Sequence, residues 1–172
     1  MKIIAILLVV AAQASGGEVW FAPAEDIATV IVAEFDKATK TIDYQLYGAT
    51  AVPIGNALIR AEHRGVVVRM LLDYRANVNN QYSQAMRCKA AGIEVRLDGT
   101  HPIAHSKVRI IDGKLVLAGS YNDSAQAQKN AENLTREDDP KLVAAFADNF
   151  AVHWAHGKPF VAQTTKTRRR LR

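Results

Sequence analysis

Val66-Val67-Val68-Arg69-Met70-Leu71-Leu72 is an almost unbroken apolar run, and it restricts the fold more than any other stretch. A strand with one face in water alternates apolar and polar residues, so a run without alternation marks a strand covered on both faces. Such a strand needs helices above and below the sheet. The flanking sequence supplies them: Pro53 to His63 reads as a helix ended by Arg64-Gly65, and about Gln81 to Ala91 as another that stops at Gly92.

The same alternation extends both ways. Glu18 to Phe21 predicts a short strand, and Pro23-Ala24-Glu25-Asp26 opens a helix with acidic residues at its positive end and an apolar stripe through Ile27, Ile31 and Phe35. Thr41 to Tyr47 and Ile93 to Leu97 predict strands. Ile103 to Ile111 and Leu115 to Ser120 predict a hairpin closed by Asp112-Gly113-Lys114. Asp123 to Asn130 reads as a loop or short helix, and Pro140 to Trp154 as a last helix with a broad apolar face. Strands interleaved with helices predict an α/β fold, a mixed and mostly parallel sheet flanked by helices.

A chain of 172 residues has room for one such domain, here residues 15–157. Residues 1–14 read as a signal peptide: Lys2, the apolar run Ile3 to Ala12, then the small-x-small site Ala12-Gln13-Ala14. The run is about half the ~20 residues that a membrane-crossing helix needs, which favours cleavage over an anchor. The expectation is a soluble protein in the periplasm or the medium, without stable membrane association. Cys88 is the single cysteine, so no disulfide forms within the chain, and it reads as a small buried hydrophobe on a helix.

The net charge of +5 is unevenly spread. Residues 158–172 carry six basic and no acidic residues; without them and Lys2, 15 of the 22 basic residues face 17 acidic ones. The basic character belongs to the tail, which is expected to be disordered and either to hold polyanions weakly through charge or simply to aid solubility.

The chemistry gathers in His105-Ser106-Lys107-Val108-Arg109-Ile110-Ile111-Asp112 and Gly119-Ser120-Tyr121-Asn122. On a strand, residues two apart share a face, so His105 pairs with Lys107 and, on the neighbouring strand, Ser120 with Asn122. Imidazole, with a pKa near ~6.5, acts as nucleophile or proton donor at neutral pH. An ammonium neutralises phosphoryl oxygens, while hydroxyl and amide donate hydrogen bonds to them. That set suits a phosphodiester and requires neither metal nor cofactor.

His105-x-Lys107, four residues, Asp112, six residues and Gly119-Ser120-x-Asn122 together resemble the HKD motif of the phospholipase D superfamily. The likeness covers roughly Val19 to Gly157 and is greatest to the superfamily's short bacterial endonucleases, which carry one motif per chain and resist EDTA. The resemblance implies that His105 is the nucleophile or acid, that Lys107, Ser120 and Asn122 bind phosphate, and that Glu132 orients the histidine. The loop from Asn122 to Glu132 is about one residue shorter than in relatives. Asp112 belongs to the motif but opens the turn on the face opposite His105, which favours a structural or interface role.

Other candidates have plainer readings. His153 and His156 sit three apart on a helix, where nothing in the sequence completes a zinc site, and read as a helix-end surface. His63 reads as a helix terminus, Trp20 and Tyr47 as core. Arg109 has the parity of Lys107, leaving phosphate contact and outward solvation both open. His101 contacts substrate or is a loop residue.

The resulting expectation is a nuclease cutting DNA, or RNA, with little sequence preference, since phosphate contacts alone do not read bases. The alternatives are a lipid phosphodiesterase and a silent nucleic-acid-binding module. In-line displacement needs a nucleophile and an acid on opposite sides of phosphorus, and one histidine cannot be both, so a second His105 is expected from an identical chain in a homodimer with a shared site.

Overall fold

The computed structural model describes residues 17–161, so the signal peptide at 1–14 and residues 162–172 of the basic tail lie outside the described residues. The chain runs β1 (Glu18–Ala22), α1 (Ile27–Lys37), β2 (Thr41–Leu46), α2 (Val52–His63), β3 (Val67–Asp73), α3 (Tyr74–Asn77), α4 (Ala85–Ala90), β4 (Glu94–Asp98), β5 (Lys107–Ile111), β6 (Leu115–Gly119), β7 (Glu132–Glu137), α5 (Pro140–His156) and β8 (Lys158–Pro159). The strands form one sheet in the order β1-β7-β6-β5-β2-β3-β4-β8.

The run at Val66 to Leu72 does form a strand covered on both faces. Met70 and Leu72 point into the larger core with Ile31, Phe35, Leu58 and Cys88, whereas Leu71 points into a second core with Val143, Phe150 and Trp154 of α5. Helices α1, α2 and α4 thus cover one face and α5 the other. Cys88 is fully buried on α4, and burial pushes its thiol up to about 12. His63 ends α2. Among the described residues no helix is long and apolar enough to cross a membrane.

The sheet is mixed, but its parallel share is smaller than expected. Only the β2–β3 and β3–β4 pairs are parallel; the other five are antiparallel. Two features reverse the direction. The β5–β6 hairpin closes through Asp112 (φ 55) and Gly113 (φ 62), and β7 inserts between β6 and β1. The polar stretch Glu132–Glu137 carries no strand-like apolar pattern, because it is held by neighbours on both sides and buries only Leu134. The domain also runs beyond residue 157: β8 pairs with β4, and Phe160, 4% exposed, belongs to the larger core.

Candidate active site

The C-terminal ends of β2 and β6 and the N-terminal ends of β5 and β7 meet at one edge of the sheet, because each adjacent pair among them is antiparallel. This edge collects His105, Lys107, Ser120 and Asn122 of the HKD-like motif. Lys107 opens β5 opposite Leu46 of β2. The expected strand from Ile103 begins only at Lys107, since residues 99–106 must cross from β4 to β5 over the ends of β3 and β2. Asp73, buried at the end of β3, fixes this crossing by accepting the backbone N–H of Ala104 at 2.9 Å.

His105 is therefore exposed just ahead of the strand, and Lys107 folds back to it. The Lys107 Nζ lies 3.0 Å from Nδ1 and 2.9 Å from Nε2 of His105, and donates to the His105 carbonyl at 2.7 Å. Tyr47, expected in the core, packs its ring against His105 with centroids 4.9 Å apart and lies 5.4 Å from the ammonium. Only its place at the end of β2, next to the strand that carries Lys107, could have flagged it. Burial lowers the proton affinity of Lys107; the Glu132 carboxylate opposes that effect and Arg109 adds to it, with a net lowering.

Ser120 and Asn122 follow β6. The Ser120 hydroxyl accepts the backbone N–H of Asn133 at 3.0 Å, which leaves its own proton to donate. Asn122 is partly buried, and its Oδ1 has no hydrogen-bond partner, an arrangement that proteins seldom leave without purpose. Glu132 begins β7 and accepts from Asn130 Nδ2 at 3.2 Å. Its carboxylate acts electrostatically on Lys107, and among the described residues no hydrogen bond joins it to His105.

Asp112, though part of the motif, does not join the site: in keeping with the structural role favoured for it, it lies at the far end of β5 and binds the backbone of Thr39, Lys40 and Thr41. Two expectations need correction. Arg109 neither reaches solvent nor is placed to meet substrate. It is fully buried and paired with Asp123, which also accepts the Tyr44 hydroxyl at 2.7 Å. His153 and His156 are not a bare helix end, for they converge with His101 on the buried Asp98. Burial alone would raise the Asp98 carboxyl, but hydrogen bonds from His101, His156 and the Thr100 backbone bring it down to about 2.

The sequence profile described as "Cardiolipin synthase, PLD-like domain" matches residues 31–154. The chain is 40% identical over 131 residues to a phospholipase D of Rickettsia prowazekii, covering 76% of this chain and 63% of that one. It is 38% identical over 118 residues to a mitochondrial cardiolipin hydrolase of Chlamydomonas reinhardtii, covering 68% and 52%. The chain thus spans under two thirds of the length of these curated relatives. In fold it matches the crystal structure of Nuc, a phospholipase D family member from Salmonella typhimurium, with a TM-score of 0.80 and 31% identity over 85% of this chain and 98% of that one.

Proposed function

Because the chain belongs to the phospholipase D superfamily, we propose that it is a phosphodiesterase that hydrolyses nucleic acid with little sequence preference, using His105 as nucleophile. The observation that carries this reading is the exposed His105 ring with the Lys107 ammonium within 3.0 Å of both of its nitrogens. The imidazole is open to a long polymer lying across the sheet edge, and the ammonium beside it meets a phosphoryl oxygen.

In the reaction, a ring nitrogen of His105 attacks phosphorus and the bond to the leaving oxygen breaks. That oxygen takes a proton from a general acid on the opposite side. Water then attacks the phosphohistidine, gives its proton to the same group, and releases a phosphate monoester and free His105. Lys107, Ser120 and Asn122 supply the charge and donors for the phosphoryl oxygens. The acid is the partner's His105, brought by a second copy of the chain across a two-fold interface. The proposal includes export, with cleavage after Ala14.

A second reading, hydrolysis of a lipid phosphodiester, is favoured by the names of the curated relatives and by Ile103, which is 58% exposed two residues before His105. Plasmid DNA, RNA, and cardiolipin or phosphatidylcholine vesicles, each offered to the full chain with and without EDTA, test both. The nuclease reading expects DNA or RNA cleavage that survives EDTA and falls by more than about a hundredfold in His105→Ala. Turnover of lipid alone would support the second reading. Binding without cleavage would leave a silent nucleic-acid-binding module.

A further inference from the structure

We propose that Asp98, His101, His153 and His156 form a structural zinc site that joins the C-terminal end of α5 to the segment leading into His105. Three of the chain's five histidines take part, and they come from two places far apart in sequence. Asp98 ends β4, His101 lies in the crossing segment, and His153 and His156 occupy the last turn of α5. One ligand atom from each lies within 4.8 Å of all the others.

The distances from Asp98 fit the edges of a tetrahedral ion. With metal–ligand bonds of about 2.0–2.1 Å to imidazole nitrogen and carboxylate oxygen, the edge of the tetrahedron is roughly 3.3 Å. The Asp98 Oδ2 stands 2.9 Å from His101 Nδ1, 3.3 Å from His156 Nε2 and 3.5 Å from His153 Nδ1. The rings are fanned rather than stacked, at 50°, 56° and 80° to one another.

Hydrogen bonding alone does not account for the cluster. Asp98 Oδ2 is bonded to His101 and His156, yet His153 Nδ1 is buried with no hydrogen-bond partner, although it lies within 3.5 Å of the same oxygen. A cation among the four atoms would give that nitrogen a ligand's role. The other Asp98 oxygen is already held by the backbone N–H groups of Thr100 and His101, the outer-shell support that orients a ligating carboxylate. The C-terminal end of α5 adds negative potential where the positive charge would sit.

Three imidazoles and one carboxylate in tetrahedral array select zinc among common divalent ions. All four positions come from protein, so the site is closed and structural, and it takes no part in the phosphodiester chemistry. Its effect is mechanical: it fixes His101, four residues before His105.

Tag-free full chain stripped by EDTA and titrated with zinc should bind one ion per chain, by calorimetry and by elemental analysis. Cobalt in place of zinc should give the intense visible absorption of a tetrahedral site. His153→Ala/His156→Ala should weaken binding by more than about a hundredfold while melting like the metal-free wild type. His105→Ala should bind zinc unchanged, which separates this site from the one proposed for catalysis. Failure of the wild type to take up zinc stoichiometrically, binding that survives in the double variant, or an octahedral cobalt spectrum would each overturn the assignment. If the double variant does not fold, His101→Phe provides the same comparison from the loop side.

Discussion

The carboxylate of Asp112 receives both the backbone N–H of Thr39, at 3.0 Å, and its hydroxyl, at 2.9 Å, across 73 residues of sequence. The N–H groups of Lys40 and Thr41 add bonds of 2.7 and 3.0 Å to the other oxygen. The motif aspartate therefore ties the β5–β6 turn to the start of β2. Burial would raise its carboxyl, but the backbone N–H groups of Thr41, Lys40 and Thr39 outweigh that and hold it below the ordinary range. A carboxyl depressed in the folded state stabilises the fold fully above its unfolded value of about 3.9, and that contribution is lost as pH falls through the folded value. Asp112→Asn keeps the left-handed backbone at φ 55 but loses the charge. It should cost about 1–3 kcal/mol at pH 7 in urea unfolding, with the difference from wild type shrinking toward acid pH. A gap that stayed constant from neutral to acid pH would rule out the charge as its cause.

Gly119 marks where β6 and β7 approach most closely near the site. A Cβ there would lie 2.3 Å from the Asn133 carbonyl oxygen and 3.1 Å from the Leu134 Cα, both backbone atoms that cannot swing away. Gly119→Ala should destabilise by about 1–3 kcal/mol and, by displacing Ser120 and Glu132, lower activity. Gly113, with φ 62 and nothing within 4 Å of its would-be Cβ, is the comparison: Gly113→Asn carries only backbone strain, should cost about 1 kcal/mol or less, and should leave activity unchanged because the turn lies at the far end of the hairpin. Equal melting curves for Gly119→Ala and wild type would sink the close-packing argument.

Arg109 and Asp123 are 0% and 1% exposed. Removing one partner leaves the other charge buried, which costs about 3–5 kcal/mol, whereas removing both costs less than the two losses together. Asp123 also accepts the Tyr44 hydroxyl, and its backbone carbonyl accepts from Thr50 and Ala51 at 2.8 and 2.7 Å. Burial and the Asp123 charge push the Tyr44 hydroxyl well above its ordinary value, keeping it a donor. Thermal unfolding of Arg109→Met, Asp123→Asn and the double variant should show strong coupling; additive losses would mean the pair is not a unit.

Much of this was legible in the sequence, and the misses have physical causes. Val66 to Leu72 announced a two-faced strand because a continuous apolar run has few other uses. His105 and Lys107 were legible because their partnership is local, two residues apart. β7 was not, because its stability comes from ladders on both sides rather than from its side chains. Arg109 looked like a free cation because Asp123, its partner, lies 14 residues away in a stretch without strand pattern. The cluster at Asp98 was invisible for the same reason on a larger scale: 58 residues separate Asp98 from His156, and only the sheet brings them together.

Because burial lowers the proton affinity of Lys107, its ammonium is lost at a pH below the roughly 10.4 of a free lysine. Phosphate binding needs the charged form, so activity should decline on the alkaline side before that value. Lys107→Arg, always protonated, should lose most activity through altered geometry, yet its residual rate should lack the same alkaline decline. A pH–rate profile of the two proteins measures this, and identical alkaline limbs would remove Lys107 from the explanation.

The proposed shared site makes a sharper prediction, one that depends on counting histidines. The two sides of an in-line displacement stand on opposite faces of phosphorus, and His105 with its own Lys107 occupies only one. If the partner's His105 supplies the acid, a dimer of one wild-type and one His105→Ala chain contains a single imidazole and completes no turnover. Co-refolding the two chains in varied proportion should then give activity that falls as the square of the wild-type fraction. Variants of each parent mixed after folding serve as the control, since without exchange they show only dilution. A linear fall after co-refolding would show that each chain works alone, and the search for the acid would return to groups within one chain, Glu132 first among them.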